Sequence, residues 1–235
     1  MENLLLKYMV ERFNIEKENV KPRENVLPFI TISREFGCPA KEIAGKIIKE
    51  LNQADEKLTN RKPWSFISKE LLQKASKELN IETGRIIKVL NDKERSSIDE
   101  ILNALSEKHY YSDRKILKTI DRVIMDFASK GNVIIIGRGG MAVTRSMKMG
   151  FHIRLFAPVE WRVEQLMKTG TYKTKEIALS ASRKIDFKRN TLLKIKSSRN
   201  LDFEDHFDVY YNCKYLSIDE ITSSIIHLLQ LKKFL

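Results

Sequence analysis

Phe29-Ile30-Thr31-Ile32-Ser33-Arg34-Glu35-Phe36-Gly37-Cys38-Pro39-Ala40-Lys41-Glu42-Ile43-Ala44 is the stretch on which the fold turns. Leu27, Phe29, Ile30 and Ile32 make a short apolar, β-rich run. It stops at Ser33 to Pro39, where Gly37 and Pro39 favour a turn. From Ala40 the period becomes helical, and Ile43, Ala44, Ile47, Ile48 and Leu51 fall on one face. A strand that ends in a tight turn and opens a helix aims backbone N–H groups and the positive end of the helix dipole at one point. Such a turn is a ready anion site.

Outward from this unit the same rhythm repeats. Val133 to Ile136 is closed by Gly137-Arg138-Gly139-Gly140, and Phe151 to Phe156 by Ala157-Pro158. Phe207 to Tyr211 reads as a weaker strand and Trp64 to Ile67 as a short edge strand. Helical periodicity fills Glu70 to Leu79, Ser97 to Leu105, Arg114 to Ser129 and Val159 to Lys168. Continuous apolar strands separated by helices predict an α/β protein whose parallel sheet is covered on both faces. In such sheets ligands sit beyond the carboxyl ends of the strands, so Ser33 to Lys41, Gly137 to Arg145 and Ala157 to Arg162 are the segments to watch.

Ahead of the sheet, residues 1–25 form a separate arm: an amphipathic helix to about residue 14, then a charged connector. The arm is expected to dock on the domain or on a second subunit, which would make a homodimer. Residues 26–235 are expected to form one domain with a mobile insertion, or lid, at about residues 170–200. Glu2, Lys7, Glu11 and Arg12 break up the apolar residues of the arm, leaving no signal-peptide core. No stretch approaches the roughly 20 apolar residues that span a bilayer. Cys38 and Cys213 lie far apart and match no zinc or disulfide spacing, so no metal site is expected and a reducing, cytoplasmic setting fits.

The chain carries 43 Lys and Arg against 31 Asp and Glu, a formal charge of +12, which favours an anionic partner. The basic residues are spread along the chain, and aromatic residues are 9%, so no stacking platform for single-stranded nucleic acid stands out. A small phosphorylated molecule is the expected partner. Nucleic-acid binding is a third-ranked reading, and membrane binding is not expected.

The turn departs from the usual phosphate loop, G-x-x-x-x-G-K-[ST]. Ala40 stands in the lysine slot, Glu42 in the hydroxyl slot, and Lys41 comes one position late. Pro39 removes an N–H donor. Lys41 is therefore either a charge on the β- or γ-phosphate or a solvated first-turn lysine. Cys38, near a helix N-terminus, is either a thiol of lowered pKa or a small residue in place of serine.

Taken together, Ile30-Thr31-Ile32-Ser33-Arg34-Glu35-Phe36-Gly37 with Lys41-Glu42-Ile43-Ala44, Ile135-Ile136-Gly137-Arg138-Gly139-Gly140, Phe156-Ala157-Pro158-Val159-Glu160-Trp161-Arg162 and Phe207-Asp208-Val209-Tyr210-Tyr211-Asn212-Cys213 resemble the cytidylate kinase-like family of P-loop nucleoside monophosphate kinases. The resemblance covers about residues 27 to 230. It implies a three-layer P-loop kinase fold with five parallel strands and a small helical lid, and a phosphotransferase that uses ATP and Mg2+ on a pyrimidine monophosphate, CMP foremost. In that reading Arg34, Gly37, Cys38, Ala40, Lys41, Glu42 and Arg162 surround ATP. Arg138, Asp186 and Arg189 meet the acceptor, and Lys41, Arg138 and Arg189 carry catalysis. Asp186 and Arg189, three apart, share one helical face.

This chain keeps Gly137-Arg138, but Gly139 stands where the family's kinases carry Asp, and Gly37-Cys38-Pro39-Ala40 replaces the family's Gly-Ser-Gly-Gly. The alternative is thus a catalytically degenerate protein that binds a nucleotide or another phosphorylated ligand. The acceptor pocket would be assembled from Ser65 to Tyr111, where no motif is readable.

Overall fold

A computed structural model of the chain describes residues 27–55, 63–68, 121–196 and 203–235. The N-terminal arm, the helices expected over Glu70 to Leu79 and Ser97 to Leu105, and most of the expected acceptor region lie outside the described residues. The chain divides into two compact units, Val26–Ile67 with Ile124–Leu235, and Met1–Asn25 with Ser68–Val123.

Its elements are β1 (Phe29–Arg34), α1 (Ala40–Asp55), β2 (Ser65–Ile67), a helix α2 over 121–130, β3 (Val133–Ile136), α3 (Gly140–Thr144), β4 (Gly150–Phe156), α4 (Val159–Lys168), α5 (Lys175–Lys196), a 3-10 turn (Phe203–His206), β5 (Val209–Asn212) and α6 (Ile218–Leu231). The five strands pair in parallel in the order β2-β3-β1-β4-β5. The strand of the opening motif is therefore the middle one. Phe29 to Ile32 pair with Val133 to Ile136, and Phe29 to Arg34 pair with Gly150 to Leu155. Pairing with Arg154 and Leu155 carries β1 through Ser33 and Arg34, so the turn begins at Glu35.

Alternation sorts the side chains onto two faces. Ile30, Ile32, Ile134, Ile136, Phe151, Ile153 and Leu155 pack with Ile43, Ala44 and Ile47 of α1 and Ile221, Ile225 and Leu229 of α6 in one buried cluster. Each such side chain contributes about 1.5–3 kcal/mol by leaving water. Ser217 starts α6 with a capping box shared with Glu220, and Lys46 pairs with Asp219 to tie α1 to α6. The opposite face carries Thr31, Ser33, His152 and Arg154, and α3 and α5 lie on that side. There Met141, Ala142, Leu193 and Phe207 form a smaller apolar cluster.

β5 starts at Val209, two residues later than the sequence suggests. Phe207 is instead buried in the α3–α5 cluster, and the Asp208 carboxylate accepts the His152 N–H at 2.7 Å. Among the described residues no helix is long and apolar enough to cross a membrane.

Candidate functional site

The turn after β1 lies at the middle of the sheet's carboxyl edge, beside the turns after β3 and β4, and most of its donors have partners within the chain. Phe36 N–H donates to Asp186 Oδ1 at 2.7 Å. Cys38 N–H reaches Glu35 O at 3.3 Å and Ala40 N–H reaches Cys38 O at 2.9 Å, while Pro39 has no N–H. Between residues 36 and 40 Gly37 is left as the uncommitted donor. A phosphate cradle needs several converging amides, and this turn has turned most of them inward.

Arg162 holds the turn closed. It opens no path to solvent: it is 6% exposed. Its Nε donates to Ala157 O at 2.8 Å and lies 3.2 Å from Glu35 Oε2. Its Nη1 donates to Phe36 O at 2.9 Å and to Asp186 Oδ2 at 2.6 Å. Glu35 Oε2 also accepts the Ala157 N–H at 3.1 Å. Gly37, at φ 96, is needed because a Cβ there would sit 3.0 Å from the Arg162 Cβ and carbonyl oxygen.

Asp186 comes down from α5 onto the turn after β1 and Arg189 onto the end of β1, as one helical face allows. Arg189 Nη1 donates to Arg34 O at 3.1 Å, its guanidinium lies 5.5 Å from the Phe36 ring centroid, and Asp186 is 4.0 Å away. Burial lowers the Arg189 pKa from its usual value, and Arg154 and Arg162 push the same way against Asp186. Tyr172 meets the other side of this contact, edge-on to Phe36 at 6.3 Å.

Arg34 reaches sideways to the turn after β3. A Cβ on Gly137 would come within 1.9 Å of Arg34 Nη1, so this close approach depends on glycine. Gly137, Arg138 and Gly139 are three successive residues at φ 75, 60 and 67. Arg138 is held there at a cost of about 1–3 kcal/mol. Lys196 at the end of α5 donates to Arg138 O at 3.0 Å, and its stem covers Gly139. Lys196 thus occupies the space above the residue that stands in place of Asp.

Lys41 and Glu42 are exposed on the first turn of α1, and Ala40 is buried beneath them. Cys38 does not gain a lowered pKa from the helix N-terminus. A hydrogen bond with Cys213, then burial, drives its thiol upward. The two cysteines of the chain therefore meet at the turn, although both are free thiols.

Two residues that motif reading passes over belong to this region, Lys196 and Arg154. Arg154 is a charged residue at an inward position of an otherwise apolar strand, a signal present in Phe151-His152-Ile153-Arg154-Leu155-Phe156. Among the described residues no group of three or more His, Cys, Asp or Glu is placed to hold a metal ion.

A central parallel strand, a tight turn and a helix, overlaid by a basic helix, define an α/β protein with a kinase-like fold. The profile of the cytidylate kinase-like family matches residues 29–215, and the chain belongs to that family. An uncharacterized protein from Eubacterium ventriosum ATCC 27560, known from its crystal structure, is similar with a TM-score of 0.54 at 15% identity, over 86% of this chain and 98% of that one. TT1252 from Thermus thermophilus gives a TM-score of 0.42 at 12% identity, over 87% of this chain and 99% of that one. No curated protein matches the sequence.

Proposed function

We propose that this chain binds a nucleotide or a similar phosphorylated ligand at the carboxyl edge of its sheet without efficient phosphoryl transfer. One observation carries the reading: between Phe36 and Ala40 the N–H groups of Phe36, Cys38 and Ala40 are spent on the chain's own oxygens and Pro39 has none, which leaves Gly37 alone. Catalysis of phosphoryl transfer is mostly positioning and charge stabilisation, so a turn with most of its amides turned inward has lost much of its main tool. Mg-ATP does not fit the turn in its usual manner. The hydroxyl position that would face the metal is Glu42, and Glu35 and Asp186 place two carboxylates against the turn where a triphosphate would add further negative charge.

What remains for an anion is basic side chains. Arg34 lies against Gly137 in the β3 turn, Arg138 follows in that turn, Arg189 lies over β1, and Lys41 is exposed on α1. The presence of two free thiols suits a reducing, cytoplasmic setting.

Titration calorimetry with CMP, AMP and ATP, run beside a coupled assay for ADP, separates the readings. Measurable nucleotide binding with no ADP above background is expected. Sustained ADP release with CMP would replace this reading by its rival, ATP-dependent phosphorylation of a pyrimidine monophosphate, which the family membership favours.

A further inference from the structure

Arg154 is 9% exposed in the middle of β4. Its neighbours in register are Ser33 of β1 and Tyr210 of β5. Register neighbours in a parallel pair point to the same face, so the Ser33 side chain lies beside it, as Thr31 lies beside His152 one step earlier. The guanidinium donates to Asn190 Oδ1 at 3.1 Å and stands 5.9 Å from the Phe207 ring centroid. Both partners are neutral.

Among the described residues no carboxylate pairs with it. The acids of this region, Glu35 and Asp186, are engaged by Arg162, and Asp186 is shared with Arg189. Asp208, next to Phe207, pairs with Lys232, so each of these carboxylates already has a cation other than Arg154. An arginine cannot escape burial by giving up its proton, unlike lysine or histidine. Buried charges are ordinarily paired, because an unpaired one loses its hydration with no return. Among the described residues that partner is missing, and an anion from outside would supply it.

We propose that Arg154, with Asn190 and Ser33 beside it and Arg189 on the same helix as Asn190, forms an anion subsite under α5 that takes the phosphate of a phosphate monoester. A guanidinium fork matches phosphate oxygens two at a time, and Asn190 and Ser33 add neutral donors with no competing negative charge. The site deepens the phosphorylated-ligand reading and rests on it. It differs from the turn after β1 in being built from side chains, so the loss of the turn's amides leaves it intact.

The test is thermal unfolding of the full chain and of Arg154→Met in chloride, in inorganic phosphate and in CMP, at matched ionic strength. Wild type is expected to melt several degrees higher in phosphate or CMP than in chloride. Arg154→Met is expected to melt above wild type in chloride, since an unpaired buried charge is gone, and to lose the phosphate increment. A gain from CMP with none from inorganic phosphate identifies the ester as the source of the anion and still supports the subsite, provided Arg154→Met loses that gain. Retention of the increment in Arg154→Met overturns the subsite and leaves nucleotide binding elsewhere in place. An Arg154→Met chain that melts lower or fails to fold also overturns it, because the charge was then not frustrated. If neither anion raises wild type, the subsite and the binding reading fall together.

Discussion

Replacing Asp186 by alanine is expected to lower folding stability by about 3–5 kcal/mol, read as a fall in the urea midpoint at unchanged slope. The carboxylate holds two partners at once. Its Oδ1 accepts the Phe36 N–H at 2.7 Å, and its Oδ2 accepts Arg162 Nη1 at 2.6 Å. Without it Arg162, 6% exposed, keeps Glu35 alone as counter-charge, and the Phe36 amide is left without an acceptor. Losing one member of a buried pair costs more than losing both. The double variant Asp186→Ala with Arg162→Met should therefore recover part of the loss. Asp186→Asn keeps an acceptor for Phe36 and should fall between. A single alanine variant within about 1 kcal/mol of wild type, the range of exposed pairs, would mean the turn is not held from α5.

The second large effect is on pH. His152 is 7% exposed, and burial lowers its pKa to about 4 from an ordinary 6.5. Asp208 opposes that shift, while His206 and Lys232 reinforce it. The neutral ring suits its site, where Nδ1 and the Thr31 hydroxyl lie 2.8 Å apart and the Phe29 ring packs at 6.1 Å. A group whose folded pKa is depressed gives its stability above the unfolded pKa and loses it as pH falls toward the folded one. Stability should thus hold above pH 6.5 and decline between 6.5 and 4 by about 2 kcal/mol at pH 5 and about 3 kcal/mol in full. Urea midpoints measured from pH 7.5 to 4.5 check this, with His152→Gln as the variant whose profile flattens over that window. An unchanged profile in the variant would assign the acid loss to other groups.

Much of the fold was legible because it is written in local pattern. The switch from a two-residue to a 3.6-residue period at Ala40 places β1, the turn and α1, and each apolar run that ends in Gly or Pro marks another strand. Even the edge strand at Trp64 to Ile67 follows from β-branched and aromatic content, with Asn52 of α1 bonding both backbone groups of Trp64. What pattern could not supply was the partner of each polar side chain. The spacing of Asp186 and Arg189 puts both on one face of α5, yet nothing local says that face meets the backbone of Phe36 and Arg34. Arg162 has the sequence look of a first-turn surface arginine, and only the fold closes Ala157, Phe36, Glu35 and Asp186 around it. Cys38 and Cys213 are brought together because β1 and β5 both flank β4, a long-range pairing no spacing rule reports. Arg154 and Lys196 belong to no motif, and their roles come from absences around them: a missing carboxylate and a missing side chain at Gly139.

The bond between the Phe36 amide and α5 makes that single proton a clock for the helix above it. The amide exchanges with solvent while Asp186 is away, so its exchange rate in heavy water reads how often that carboxylate leaves the turn, without any ligand. Because Arg162 shares the same carboxylate, each such opening also unsettles the start of α4. Through this one carboxylate helix, turn and neighbouring helix are tied together, and a ligand seated beneath α5 is expected to slow exchange at the Phe36 amide.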